Sequence, residues 1–166
     1  MLDDTDARIL LALDSDPRSP VVELAARLRL ARKTVQTRLA RLEGVLRPHT
    51  ERVPPRELGY AVAALVTAEV AQAELASVVR GLRAIPEVLE AAATTGEGDI
   101  VCRVVAADPE DLYRVGQQIL ACPGIQRTST VVLLRDLVPY RTAPLLQQHL
   151  RRHERSAAAR QAGGST

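Results

Sequence analysis

The sequence predicts an α+β chain: three short N-terminal helices, then a ferredoxin-like βαββαβ domain. Three observations carry this. Apolar residues recur at helical spacing through the first 46 positions, and a polar, proline-bearing stretch then breaks all periodicity. Beyond Tyr60, runs of Val, Ile and Ala alternate with amphipathic segments in the order strand, helix, strand, strand, helix, strand.

Leu2-Asp3-Asp4-Thr5-Asp6 offers capping oxygens and negative charge to a first helix that turns Ile9, Leu10 and Leu13 inward. Asp14-Ser15-Asp16-Pro17-Arg18-Ser19-Pro20 ends it. A second helix, Val21 to Leu28, carries Val21, Leu24, Ala25 and Leu28 on one side, and only Arg29 and Leu30 separate it from a third. That third segment aligns Val35, Leu39 and Leu42 at i, i+4 and i+7. Two helices joined by so short a turn make a helix-turn-helix, and the first helix completes its core.

Residues 47–59 are polar, contain three prolines and have no apolar stripe, which predicts an extended, stiff linker. Ala61 to Val70 then reads as a buried strand, and Leu75, Val78, Val79 and Leu82 as a helix face. Val88 to Thr95 and Ile100 to Ala106 are strands around the turn Gly96-Glu97-Gly98-Asp99. Asp108-Pro109-Glu110-Asp111 is a strong helix start, with Leu112, Val115 and Ile119 facing inward. Ile125 to Leu134 forms the last strand. The predicted units are therefore residues 1–46, a linker or wing 47–59, the sheet domain 60–140, and a basic tail 141–166. Leu145, Leu146 and Leu150 suggest a short helix in the tail, with disorder from Ala157 onward.

Two helices cover one face of such a sheet, yet its central strands are apolar on both. Val62, Ala64 and Val66 oppose Ala63 and Leu65; Ile100, Cys102 and Val104 oppose Val101 and Val105. The second face would expose several hundred Å² of aliphatic surface, which a second copy of the domain would cover. A homodimer is expected.

Charge separates the parts. Residues 1–59 carry eleven basic and nine acidic groups, residues 60–140 six and ten, and residues 141–166 five and one. Basic ends suit nucleic acid, while the acidic middle repels phosphate. No apolar run approaches the ~18 residues of a membrane span, and no signal peptide opens the chain. Cys102 and Cys122 read as small core hydrophobes in a reducing cytosol.

The third helix is the candidate functional element. Between Arg29 and Arg41 lie five basic residues and no acidic one. Lys33, Thr37 and Ala40 point away from its aliphatic stripe, flanked by Gln36 and Arg41. Such a front can read base edges in the major groove of double-stranded DNA. A merely solvated basic face is the alternative.

These residues resemble the Lrp/AsnC family, the leucine-responsive and feast/famine transcriptional regulators. The resemblance runs through Leu2-Asp3, Asp6, Ile9-Leu10, Asp16 with Arg18, Glu23-Leu24-Ala25, Val35, Arg38, Leu42-Glu43 and Gly44-Val45-Leu46. It continues through Leu58-Gly59-Tyr60, Thr95-Gly96-Glu97-Gly98-Asp99, Pro123-Gly124-Ile125 and Thr128-Ser129-Thr130, spanning about residues 2–138. It implies a winged helix-turn-helix joined to a βαββαβ domain that dimerises through its sheets, with tetramers or octamers beyond. It also implies an amino-acid effector, or a related metabolite, bound between dimers, which shifts assembly and with it DNA affinity. No other cofactor and no catalytic residue are expected.

Carried over by position, the resemblance assigns Lys33, Gln36 and Thr37 to base edges, and Arg32, Thr34, Arg38 and Arg41 to phosphates. For Arg38 a structural salt bridge is the alternative. The effector positions become Thr95, Gly96, Glu97, Gly98, Asp99, Thr128 and Thr130. There Asp99 either receives an α-ammonium or orders its own turn.

Two departures stand out. Ala31 replaces the usual capping Ser, and Gly44 follows Glu43 two residues early, so the wing should be shorter or differently set. Two rival functions remain: a tetrapyrrole enzyme of the sirohaem-decarboxylase type, and a sensor without DNA binding. The first needs cavity histidines, but His49, His149 and His153 lie outside the predicted sheet domain. His149 and His153 have the i, i+4 spacing of a metal-binding pair, but no acidic or cysteine partner is near in sequence, so no metal is expected.

Overall fold

The computed structural model describes the backbone of residues 1–163 and the side chains of residues 1–156. Its helices are α1 (Asp4–Ser15), α2 (Val21–Leu28), α3 (Arg32–Glu43), α4 (Leu75–Arg83), α5 (Pro109–Leu120) and α6 (Ala143–Gly163). Its strands are β1 (Val62–Val70), β2 (Val88–Ala93), β3 (Ile100–Ala106) and β4 (Ile125–Leu133). They form two units: Met1–Pro48 together with the chain from Val138 onward, and His49–Leu137.

The first unit is helical. Asp3 caps α1 in a reciprocal box: its carboxylate accepts from the Asp6 N–H at 3.0 Å, and that of Asp6 accepts from the Asp3 N–H at 2.9 Å. A cap of this kind contributes about 1 kcal/mol. Ile9, Leu28 and Leu42 form one buried cluster, and Leu24, Ala25 and Val35 another. Ala12, Leu13, Leu30 and Leu39 pack against both and join them. Arg29 closes α2 in the left-handed region at φ 55°, which lets the Leu30 N–H reach the Ala25 carbonyl at 2.9 Å. A non-glycine residue there costs about 1–2 kcal/mol, and it sets the abrupt turn into α3.

Two expectations for the chain outside α1–α3 need correction. Residues 47–59 are not extended but form 3-10 turns at His49–Arg52 and Pro55–Leu58. Pro55 fixes the first φ, and Gly59 at φ 92° closes the second turn, with the Tyr60 N–H on the Pro55 carbonyl at 3.1 Å. Among the described residues the first unit has no β-strand, so turns stand where the resemblance implies a wing. The tail helix α6 is longer than predicted and packs along α1. The expected disorder from Ala157 falls on side chains, and on residues 164–166 entirely, outside the described residues.

The second unit is an antiparallel sheet of order β2-β3-β1-β4. Ala64, Val66, Ala68 and Val70 of β1, with Ile100, Cys102, Val104 and Ala106 of β3, face α4 and α5. Val78 and Leu82 come down from α4, and Leu112, Val115 and Ile119 from α5. Asp108 caps α5 by accepting from the Asp111 N–H at 2.8 Å, with Pro109 at the first helical position. Gly124 has two reasons to be glycine. Its φ is 99°, and a Cβ there would lie 2.4 Å from Glu74 Cβ. Cys102 and Cys122 are buried free thiols, and burial followed by the neighbouring Cys122 pushes Cys102 up to about 11.

Alternation places Ala63, Leu65 and Thr67 of β1 on the opposite face, with Val101 and Arg103 of β3 and Ser129 and Val131 of β4 beside them. Leu65 and Val101 remain partly exposed in the single chain, and Val131 is 59% exposed.

Candidate nucleic-acid interface and effector turn

Helix α3 presents the predicted two-sided character. Val35 and Leu42 are buried and Leu39 partly so, while Arg32, Lys33, Gln36, Thr37 and Ala40 are exposed. Thr34 is half-buried. Ala31 stands at the N-cap with no side-chain bond to the helix. Among the described residues the side chains of Arg32, Lys33 and Gln36 have no hydrogen-bond or ion-pair partner, so their donors are available to a ligand. The Thr37 hydroxyl donates to the Lys33 carbonyl at 3.0 Å and keeps only acceptor capacity.

Arg38 and Arg41 differ. Arg38 Nη1 donates to Asp3 and, at 3.2 Å, to Asp6 Oδ1; Arg41 Nη2 donates to Asp6 and lies 3.9 Å from Asp3. Asp6 has no exposed surface. The Asp6 backbone N–H, followed by the Arg38 guanidinium, holds the Asp3 carboxyl at about 2, and its carboxylate in turn raises Arg38. These pairs favour the structural salt bridge that was the alternative for Arg38, and they extend it to Arg41: a buried carboxylate needs cations, and the two arginines supply them. Asp3 and Asp6 were legible in the sequence as capping residues, and Arg38 as a possible bridge. That the same carboxylates would also take Arg41 required knowing where α1 meets α3.

At the other candidate site, Thr95, Gly96 and Glu97 are exposed at the β2–β3 turn while Gly98 is buried. A Cβ on Gly98 would sit 2.1 Å from Thr67 Cγ2, so glycine lets the turn pass close to β1. The Thr94 hydroxyl donates to the Gly98 carbonyl at 2.6 Å. Asp99 Oδ2 accepts from the Val70 N–H at 2.8 Å and Oδ1 from the Gln72 amide at 3.2 Å, while the Asp99 N–H donates to the Ala68 carbonyl at 3.0 Å. Of the two roles open to Asp99, ordering the turn is the one this geometry fits. Thr128 and Thr130 lie opposite Ala68 and Val66, on the helix-facing side of edge strand β4. Thr128 shares the turn's end of the sheet, and Thr130 lies two residues further along.

Comparison with known proteins gives these sites a frame. Residues 2–43 match the AsnC-type helix-turn-helix domain, and residues 63–143 match the Lrp/AsnC ligand binding domain. The HTH-type transcriptional regulator FL11 of Pyrococcus abyssi is 32% identical over 136 residues, 81% of this chain and 90% of its own length.

The chain belongs to the Lrp/AsnC family of transcriptional regulators.

Solved Lrp/AsnC structures align along nearly their whole length. Escherichia coli AsnC superposes with a TM-score of 0.78 at 26% identity, over 87% of this chain and 99% of that one. A feast or famine regulatory protein from M. tuberculosis, complexed with L-methionine, gives 0.72 at 28% identity, over 85% and 97%. The Lrp/AsnC members matched are named as regulators rather than enzymes. In this chain the helix-turn-helix match precedes the ligand binding domain match, and the two fall on the helical unit and largely on the sheet unit respectively. Among the described residues, no helix of this Lrp/AsnC regulator is long and apolar enough to cross a membrane.

Proposed function

We propose that this regulator reads double-stranded DNA through Arg32, Lys33, Gln36 and Thr37 of α3. A homodimer formed through the open sheet face presents two such helices. The observation that carries this reading is the unpartnered, exposed row Arg32, Lys33 and Gln36 on a helix whose other sides are fixed by a core and by two ion-paired arginines. Lys33 and Gln36 contact base edges, and Arg32 contacts the backbone. Leu65, Val101 and Val131 supply the aliphatic area for dimerisation, and operator half-sites lie one helical turn, ~34–36 Å, or a multiple apart.

The effector is an amino acid or a close metabolite, bound at the turn Thr95-Gly96-Glu97 where a second dimer completes the site. Support comes from the exposure of that turn, the rigid anchoring of Asp99 beneath it, and the L-methionine in the mycobacterial relative. Thermal-shift screening of the purified chain against the amino acids, L-methionine included, tests this. A stabilising amino acid that also changes the mobility of the complex with the protein's own upstream DNA supports the reading. Mobility unaffected by every amino acid that stabilises the chain overturns it.

A further inference from the structure

The geometry points to a divalent transition-metal site formed by Asp4, His149 and His153, which fastens the tail helix α6 to α1. Sequence spacing gave the two histidines but no third ligand; folding supplies one from 145 positions away. Asp4 Oδ1 lies 3.2 Å from His149 Nε2 and 3.4 Å from His153 Nδ1, and the three candidate ligand atoms fall within 4.8 Å of one another. The two imidazole centroids are 4.4 Å apart, with the rings tilted by 41°.

The two Asp4–His separations match those between adjacent ligands of one metal ion. Zinc binds imidazole nitrogen and carboxylate oxygen at ~2.0–2.1 Å, so adjacent ligands of a tetrahedral ion lie roughly 3.3–3.4 Å apart. Asp4 Oδ1 and His149 Nε2 are buried atoms, and neither has a hydrogen-bond partner despite their proximity. An orphaned carboxylate oxygen facing an orphaned ring nitrogen is costly unless something satisfies both. A cation between them does. Two neutral imidazoles and one carboxylate form a borderline donor set, which selects Zn²⁺, Co²⁺, Ni²⁺ or Cu²⁺ over Ca²⁺ or Mg²⁺. Three protein ligands leave one position for water, on the side where His153 is exposed. The same first turn of α1 carries Asp3 and Asp6, which hold Arg38 and Arg41 of α3, so an ion here ties the tail to the frame of the reading helix.

The test uses the full chain without a histidine tag, stripped with chelator and titrated with Zn²⁺ by calorimetry and with Co²⁺ by electronic absorption. One ion per chain is expected, with visible Co²⁺ bands and a higher melting transition when the metal is in excess. Losing a group merely hydrogen-bonded to a metal ligand weakens affinity by about 10–100-fold, so His149→Gln and Asp4→Asn should cost at least that much. His153→Gln changes an exposed residue, so a comparable loss there supports the site and unchanged affinity contradicts it. His49→Gln should bind like the parent. Equal uptake by the His149→Gln/His153→Gln double variant and the parent would overturn the proposal.

Discussion

The carboxylate of Asp6, wholly enclosed in the helical unit, accepts from Arg38 at 3.2 Å and from Arg41, so one acid on α1 holds two cations of α3. It also accepts from the Asp3 N–H at 2.9 Å. Together these bonds fix how α3 is rotated about its own axis. Lys33, Gln36 and Thr37 consequently stay outward while Arg38 and Arg41 face α1.

Replacing Asp6 by Asn should destabilise the helical unit by about 2–3 kcal/mol, since a buried group that accepts from two cations and a backbone N–H loses its charge. Denaturant unfolding followed by far-UV circular dichroism measures this. A loss below about 0.5 kcal/mol would show that the arginines do not depend on Asp6.

Lys33→Ala should relax sequence preference. Affinity for the preferred operator should fall by about 1–3 kcal/mol while affinity for unrelated duplex falls much less. Competition binding with the two duplexes reads the ratio. An equal fall on both would reassign Lys33 to the backbone.

Gly98→Ala should destabilise the sheet unit by about 1–3 kcal/mol, because its new methyl would meet Thr67 Cγ2. Thr67→Ser removes that methyl, so the double variant should melt well above Gly98→Ala alone. Absence of rescue would place the strain in the turn's backbone.

Acid stability should depend on Asp111. The Ala107 backbone N–H, followed by Arg114, lowers its pKa below the ordinary carboxylate value, so it stabilises the fold above the unfolded value of about 3.9. That contribution disappears as pH falls through the lower folded value. Asp111→Asn should therefore flatten the decline in melting temperature below about pH 4, with the parent and variant curves converging at the acid end. Parallel curves down to that end would contradict this.

Much of this was legible in the sequence because local signals and apolar periodicity agree. The Asp108-Pro109 start, the Val35-Leu39-Leu42 stripe and the order βαββαβ each become the predicted element. What the sequence left open depends on contacts distant in sequence. Arg38 and Arg41 have the charge and spacing of phosphate ligands, and only the packing of α1 against α3 shows that Asp3 and Asp6 claim them. Asp99 looked equally fit for a ligand until the Val70 N–H and the Gln72 amide took its oxygens. The linker failed differently. Prolines that suggested extension instead start a 3-10 turn, because Gly59 can close it.

The most direct test of α3 as the reading helix is how affinity for duplex from the protein's own upstream region varies with salt between about 50 and 200 mM. With Arg38 and Arg41 engaged by Asp3 and Asp6, Arg32 and Thr34 leave a dimer engaging about four phosphates, for a slope of log affinity against log salt of about −3.6. Arg32→Ala, removing one contact per protomer, should bring the slope of the dimer to roughly −2, whereas Arg38→Ala should leave it unchanged. A flat response in the parent, or a slope that shifts with Arg38 and not with Arg32, would contradict the account.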